Sequence, residues 1–249
     1  MISLTNIYIE LRIQYDKYFK LNNKFITPEK AYDLLSNNYD NSYNILNALD
    51  RELLKKFKPY LHNEIKNTLD FGAGTGRNIS FLKTFTLKKI YGIDISIGML
   101  NKLKDKHPSI TIEKYQKNKK LNIENKSIDL IVSNLVIGYI DYLDSIFTEW
   151  KRIISDNGLI IITDLHPSIN NRKLNRNFNF NGTNLIIKSI NHSKKKLEFE
   201  FSKMNWEIIK FEEMVIDKEV KYYFKSESDY NNLFGKKLIY GYVLKNKKC

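Results

Sequence analysis

The apolar positions of this chain change period twice, and each change predicts a different kind of structure. From Ser3 to about Tyr60 the pattern is helical: Leu4, Tyr8, Leu11, Tyr15 and Tyr18 recur at three- and four-residue spacing, which stacks them on one face. A second helix is expected from Thr27, where Thr27-Pro28-Glu29-Lys30 offers a capping oxygen and a proline at the first helical position. Between Asn67 and Leu165 short apolar runs appear without alternation, at Thr68 to Phe71, Ile90 to Ile93, Ile110 to Ile112, Leu130 to Val132 and Leu159 to Thr163. Such runs suit parallel strands covered on both faces. Helices are expected between them over Asn78 to Phe85, Ile97 to Lys106 and Tyr142 to Ile154, the last stopped by Asp156-Asn157-Gly158. An Asn-rich stretch from Asn170 to Asn184 then breaks the rhythm, and a helix-like segment precedes strand-like runs at Ile208 to Ile216 and Leu238 to Leu244 that finish the sheet.

Strand and helix in repetition predict an α/β fold, a doubly wound, Rossmann-like, mostly parallel seven-stranded sheet with helices on both faces and an N-terminal helical extension. Residues 1–60 form the helical segment and residues 61–249 the α/β domain, with an insert at about 167–205. The extension, with Tyr8, Tyr15, Tyr18 and Phe19, and the Asn170 to Asn184 stretch could together close over the strand tips and exclude water, although aromatic residues at helical spacing also serve as ordinary core.

Composition narrows the classes. Hydrophobic residues at 42% and charged residues at 28% over 249 residues describe an ordinary globular chain with room for a sizeable core. No apolar stretch approaches the roughly 20 residues that span a bilayer, and the chain through Lys20 lacks a basic segment followed by an apolar one, so neither insertion nor secretion is expected. The single cysteine, Cys249, is the last residue, which removes a disulfide framework and a Cys-based metal site and points to a reducing, cytoplasmic setting; no metal is expected. The net charge of +13 would attract polyanions, which argues for nucleic acid. Yet only six of the 41 basic residues are arginine, in a chain crowded with Lys, Asn and Ile. Scattered lysines on a solvated face explain the charge without a nucleic-acid partner.

The chemistry gathers after the first strand of the alternating region, in Leu69-Asp70-Phe71-Gly72-Ala73-Gly74-Thr75-Gly76-Arg77. Gly72 and Gly74 let a ligand approach the main chain, and Gly76 permits tight packing where the next helix begins. Glycines after a strand can also mean only a tight turn. The next strand ends at Asp94, at the spacing at which an acid accepts both hydroxyls of an adenosine ribose. Asp94 could equally cap the helix after Ile95, and the two roles are compatible.

Asp70 to Gly76, then Gly92-Ile93-Asp94-Ile95-Ser96 and Met99-Leu100, resemble the first two motifs of class I S-adenosylmethionine-dependent methyltransferases, nearest to the small-molecule branch that includes the ubiquinone and menaquinone biosynthesis enzymes. The resemblance runs through Ser127 to Leu135 and Gly158 to Asp164, about a hundred residues in order. It implies S-adenosylmethionine as cofactor: Gly72, Ala73, Gly74 and Gly76 around its methionine part with Asp70 near the ammonium group, Asp94 on the ribose, Ile95 against adenine, Met99 also among the cofactor-binding residues, and Asn134 and Leu135 beside the sulfonium and the acceptor. Where the family often has an Asp for the adenine amino group, this chain reads Gln116-Lys117-Asn118-Lys119-Lys120, so Gln116 or Asn118 could offer an amide oxygen instead.

Methyl transfer from a sulfonium is an in-line displacement that needs position and, for some acceptors, removal of a proton. His166, after the fifth strand in Asp164-Leu165-His166-Pro167, and Tyr139, after the fourth, are the candidate bases; each could instead be structural. The expected acceptor is a small molecule. Three readings compete with it. A nicotinamide oxidoreductase is disfavoured because Arg77 follows Gly76 and Asp70 precedes the loop. An RNA-modifying methyltransferase is favoured by charge alone. A non-catalytic S-adenosylmethionine-binding module is suggested by the absent adenine acid.

Overall fold

The computed structural model describes residues 23–61, 64–169 and 176–247. The expected helix over Leu4 to Tyr18 and Cys249 lie outside the described residues. The chain runs β1 (Asn23–Ile26), α1 (Pro28–Leu35), α2 (Ile45–Phe57), β2 (Asn67–Phe71), α3 (Ile79–Leu82), β3 (Lys89–Asp94), α4 (Ile97–Lys106), β4 (Thr111–Lys114), β5 (Ile128–Asn134), α5 (Leu143–Ile153), β6 (Ile154–Leu165), β7 (Asn177–Phe180), β8 (Thr183–Ile187), α6 (Lys194–Lys203), β9 (Trp206–Val215), α7 (Glu227–Leu233) and β10 (Lys237–Asn246).

Seven strands form the main sheet in the order β4-β3-β2-β5-β6-β10-β9. β2 pairs in parallel with β3 and with β5, whereas β10 runs antiparallel to both β6 and β9. From β2 the chain winds outward through β3 and β4, then returns to the other side of β2 as β5. That reversal opens a crevice at the carboxyl ends of β2 and β5, where open α/β sheets bind ligands.

The central strands are buried on both faces, as their unbroken apolar runs require: Leu69, Leu130, Ile131 and Val132 have no exposed surface. One core layer packs α2 through Leu49, Leu53 and Phe57 against Leu130, Ile161 and Val243. The other packs α5 against Leu69, Ile131 and Tyr242. In α5 the buried Leu143, Ile146, Phe147, Trp150 and Ile153 fall at helical spacing on one stripe. Burying each such side chain contributes about 1.5–3 kcal/mol relative to leaving it in water.

Three expectations change in detail. Asp156-Asn157-Gly158 does not terminate α5; the helix turns directly into β6 at Ile154, and these residues form an irregularity where Ile128 faces Ile154 but Leu130 faces Leu159. A Cβ on Gly158 would lie 2.6 Å from the Ile154 side chain, so the glycine serves that close approach. The helix expected over Asn78 to Phe85 is a single turn, Ile79–Leu82. The N-terminal segment is also not wholly helical. β1 pairs in parallel with β8, and β7 completes a separate three-stranded sheet built from the extension and the insert together. Thr27 caps α1 and Pro28 is its first residue, as the sequence suggests. Among the described residues no helix is long and apolar enough to cross a membrane.

Candidate functional site

The glycine loop is fastened to the tip of β3. Gly72 and Ala73 donate their N–H groups to Ile93 O at 2.7 and 2.9 Å, and Gly74 donates to Asp94 Oδ2 at 2.8 Å. Gly72 has φ +78°, and a Cβ there would sit 2.1 Å from Val136 Cγ2. Asp94 is 9% exposed, and its Oδ1 accepts the Ser96 N–H at 2.9 Å. Burial raises its carboxyl above the ordinary range, against the pull of those N–H groups. The cap of α4 is Ser96 rather than Asp94: the Ser96 hydroxyl accepts from Met99 N at 3.1 Å and donates to Asp33 Oδ1 at 2.5 Å. Asp33 also accepts the Gly98 N–H at 3.0 Å, which ties α1 to the start of α4.

Asp70 lies beneath this loop, fully buried, and neither carboxylate oxygen has a hydrogen-bond partner. Burial pushes its carboxyl up to about 7; the Arg77 charge opposes the rise and the Asp94 charge adds to it. A buried carboxylate without a partner is costly unless a cation comes to it.

Above the strand tips lies a cavity of about 540 Å³. Gly72, Ala73, Gly74, Asp94, Ile95, Met99, Asn134 and Leu135 line it, as do Tyr115 and Lys117 after β4. The far wall comes from Tyr32 and Leu35 of α1, the residues around the start of α2, and Arg176, Phe178 and Ile187 of the second sheet region. The described parts of the extension and of the insert border the crevice, whereas Tyr8, Tyr15, Tyr18 and Phe19 lie outside the described residues. Gly76 does not: at φ +87° its hydrogen faces His107 and Leu103, and it serves helix packing. Gln116 and Asn118 are exposed and do not line the cavity, which takes Tyr115 and the likewise exposed Lys117 from the segment after β4 instead.

Asn134 sits in a buried polar network that sequence reasoning did not find. Its amide donates to Asp50 Oδ1 at 3.1 Å and Thr163 Oγ1 at 2.8 Å and accepts from Asn78 at 3.1 Å. Thr163 donates to Asp50 as well. Asp50, on α2, is fully buried and paired with Arg77 at 2.7 Å. Leu135, next in the chain, has φ +60°, a left-handed conformation that an apolar side chain rarely adopts. Its N–H is held by Thr163 O at 2.9 Å. The network and this bond over-determine the backbone at the tip of β5.

A second cluster stands on the opposite wall. The Tyr32 and Tyr139 hydroxyls are 2.6 Å apart, and the Arg176 guanidinium lies 4.0 Å from the Tyr139 ring centroid. Arg176 pairs with Asp164, which also accepts the N–H groups of Gly138 at 2.5 Å and Leu165 at 2.7 Å. Burial raises both phenols, so neither ionises near neutrality. Tyr139 thus reaches the cavity as a neutral hydroxyl. Arg176 and Tyr32 had no motif to mark them; the one available signal was the rarity of arginine in a lysine-rich chain, which favours positions where the planar fork is needed.

His166 does not reach the cavity. Its backbone N–H bonds Leu238 O at 2.9 Å, keeping it in line with β10. Its ring is held on both sides, Nε2 by Glu213 Oε1 at 2.8 Å and Nδ1 by Ser168 Oγ at 2.6 Å. Hydrogen bonds from Lys237 and His166 hold the partly buried Glu213 carboxyl below its usual range. The candidate base is thereby an anchoring residue at the sheet edge. Among the described residues no cluster of His, Cys, Asp and Glu could hold a metal ion.

A family model described as a methyltransferase domain matches residues 69–162. A malonyl-[acyl-carrier protein] O-methyltransferase of Xylella fastidiosa is 26% identical over 144 residues, 55% of this chain and 48% of that protein. A ubiquinone/menaquinone biosynthesis C-methyltransferase of Campylobacter jejuni is 30% identical over 112 residues, 42% of this chain and 46% of that protein. The chain thus spans about half the length of the curated relatives it matches. The crystal structure of an S-adenosylmethionine-dependent methyltransferase from Mesorhizobium loti superposes with a TM-score of 0.60 at 15% identity, covering 77% of this chain and 96% of that one.

Proposed function

We propose that this chain, whose residues 69–162 form a class I S-adenosylmethionine-dependent methyltransferase domain, transfers a methyl group to a small-molecule acceptor held in the cavity above the strand tips. One observation carries the reading: the Gly74 N–H to Asp94 bond of 2.8 Å joins the glycine loop and the ribose acid into one unit on the cavity floor. The residues present fit the cofactor. The bare main chain of Gly72 and Gly74 would admit its methionine part; Asp70, which the resemblance sets near the ammonium group, is fully buried under the loop and does not itself line the cavity. Asp94 would take the ribose hydroxyls; Ile95, Met99 and Tyr115 would border adenine, where the cavity presents Tyr115 and Lys117 rather than Gln116 and Asn118.

When bound, S-adenosylmethionine supplies a methyl group already activated on a sulfonium. The protein's part is position and exclusion of water. Asn134 and Leu135, fixed by Asp50, Thr163 and Asn78, set one edge of the reacting space, and Tyr139 with Tyr32 sets the other. His166 is held by Glu213 and Ser168 away from the cavity, which supports a reading in which positioning carries the reaction. The names of the relatives, one acting on malonyl-[acyl-carrier protein] and one in quinone biosynthesis, support a small acceptor without choosing it.

Titration calorimetry tests the reading. S-adenosylhomocysteine should bind more tightly than NADH, and Asp94→Ala should weaken it by about 1.5–3 kcal/mol, roughly ten- to 150-fold. Tighter binding of NADH would refute the methyltransferase assignment, and an unchanged affinity in folded Asp94→Ala would remove Asp94 from the site.

A further inference from the structure

On the wall opposite the glycine loop, the cluster of Tyr32, Tyr139 and Arg176 presents hydrogen-bond donors to a cavity that Asp141, Ser145 and Asn177 also line. Asp164 is engaged on both oxygens: Oδ1 takes Arg176 and Leu165 N–H, and Oδ2 takes Gly138 N–H. The Tyr32 and Tyr139 hydroxyls bond each other, which uses one proton and leaves one O–H to donate outward. Arg176 lines the cavity, its side chain is only 8% exposed, and its Nη1 has no acceptor among the described residues. A buried guanidinium nitrogen without a partner is a costly omission unless a ligand completes it.

We propose that the methyl acceptor carries a carboxylate, and that this group docks on Arg176 Nη1 beside the Tyr32–Tyr139 hydroxyl pair. The inference rests on the methyltransferase reading and names the acceptor class for that same cavity. A buried guanidinium nitrogen that lacks an acceptor, beside a phenol O–H, selects an acceptor-rich anionic group, and a carboxylate oxygen supplies one. The magnitude of charge favours a carboxylate over a phosphate. Arg176 is already neutralised once by Asp164, so a monoanion leaves one net negative charge in the cluster, whereas a phosphate dianion leaves two. A carboxylate engaged by a guanidinium is also a poorer nucleophile. It is therefore the handle that orients the acceptor, and the methylated atom lies elsewhere on the molecule.

The test uses benzoate and octanoate against benzamide and octanamide, each at tens of millimolar, with thermal shift and calorimetry on the full chain, alone and saturated with S-adenosylhomocysteine. The carboxylates should stabilise the wild type and the amides should not. Arg176→Gln should weaken the carboxylates at least about tenfold while keeping its response to S-adenosylhomocysteine. Arg176→Lys, which keeps the charge beside Asp164, serves if the glutamine variant does not fold, and should weaken them severalfold through loss of the fork. Equal responses to acid and amide, no response of the wild type to either acid, or full carboxylate affinity in a folded Arg176 variant would each overturn the inference while leaving the methyltransferase reading standing. A wild type that binds no S-adenosylhomocysteine would overturn both.

Discussion

Removing the Arg77 charge tests how the N-terminal helix α2 is locked to the site. Arg77 follows the last glycine of the loop, and its Nη1 lies 2.7 Å from Asp50 Oδ2 and 3.3 Å from Asn47 O. Asp50 has no exposed side-chain surface, whereas Arg77 retains 17%. In Arg77→Met the stem would still pack, but Asp50 would keep only Asn134 and Thr163 as donors, both neutral. Leaving one member of a buried pair uncompensated costs about 3–5 kcal/mol. For a chain of this size each kcal/mol moves the melting temperature by about 2–4 °C, so a fall of roughly 6–20 °C is expected. The second arm is Asp50→Asn in the Arg77→Met background. An amide keeps the acceptor for Asn134 and Thr163 and removes the stranded charge, so the double variant should recover at least half of the loss. Thermal and urea melts of the wild type, both single variants and the double variant complete the cycle. A loss below about 1 kcal/mol in Arg77→Met, or strictly additive effects in the double variant, would refute the claim that this pair is a coupled, desolvated lock.

Two further outcomes follow from the loop. Gly72→Ala places a methyl group 2.1 Å from Val136 Cγ2 at φ +78°, so S-adenosylhomocysteine binding should fall by more than about tenfold, and adding Val136→Ala should relieve the clash but not the backbone strain; undiminished binding in calorimetry would contradict the close approach. Asp70, pushed up to about 7 by burial, holds a proton in the folded state that an unfolded carboxyl gives up near a pKa of about 3.9, so its contribution to the stability of the ligand-free protein is full below about pH 4 and is lost as pH rises through about 7. Asp70→Asn should therefore melt above the wild type at about pH 8 and converge with it toward about pH 4, and parallel melting curves across that range would show that Asp70 does not ionise at this cost.

The alternating region carried its own fold in the sequence because each central strand is buried on both faces, so its apolar run is unbroken and contrasts with the striped helices beside it. The glycine loop was legible for a related reason: positive φ at Gly72 and Gly74, and at Gly72 also the contact with Val136, disfavour other residues, so the chemistry shows as a local motif. The doubly wound order, with its crevice between β2 and β5, followed from that alternation. What the sequence by itself could not decide were the partners of residues far apart in the chain. His166 sits where a base belongs by its position after β6, yet antiparallel pairing with β10 turns it toward Glu213. Gln116 and Asn118 offered the right amides, but the turn after β4 leaves them in solvent. Conversely Asp50, Arg77 and Asn134 meet across 84 residues of chain, and Tyr32 and Tyr139 across 107, through contacts that no local period encodes. The second sheet was hidden for the same reason. The strand Asn23–Ile26 is four residues long and too short to declare itself, and it is a strand because Thr183–Ile187, folded back from the insert, supplies its hydrogen bonds.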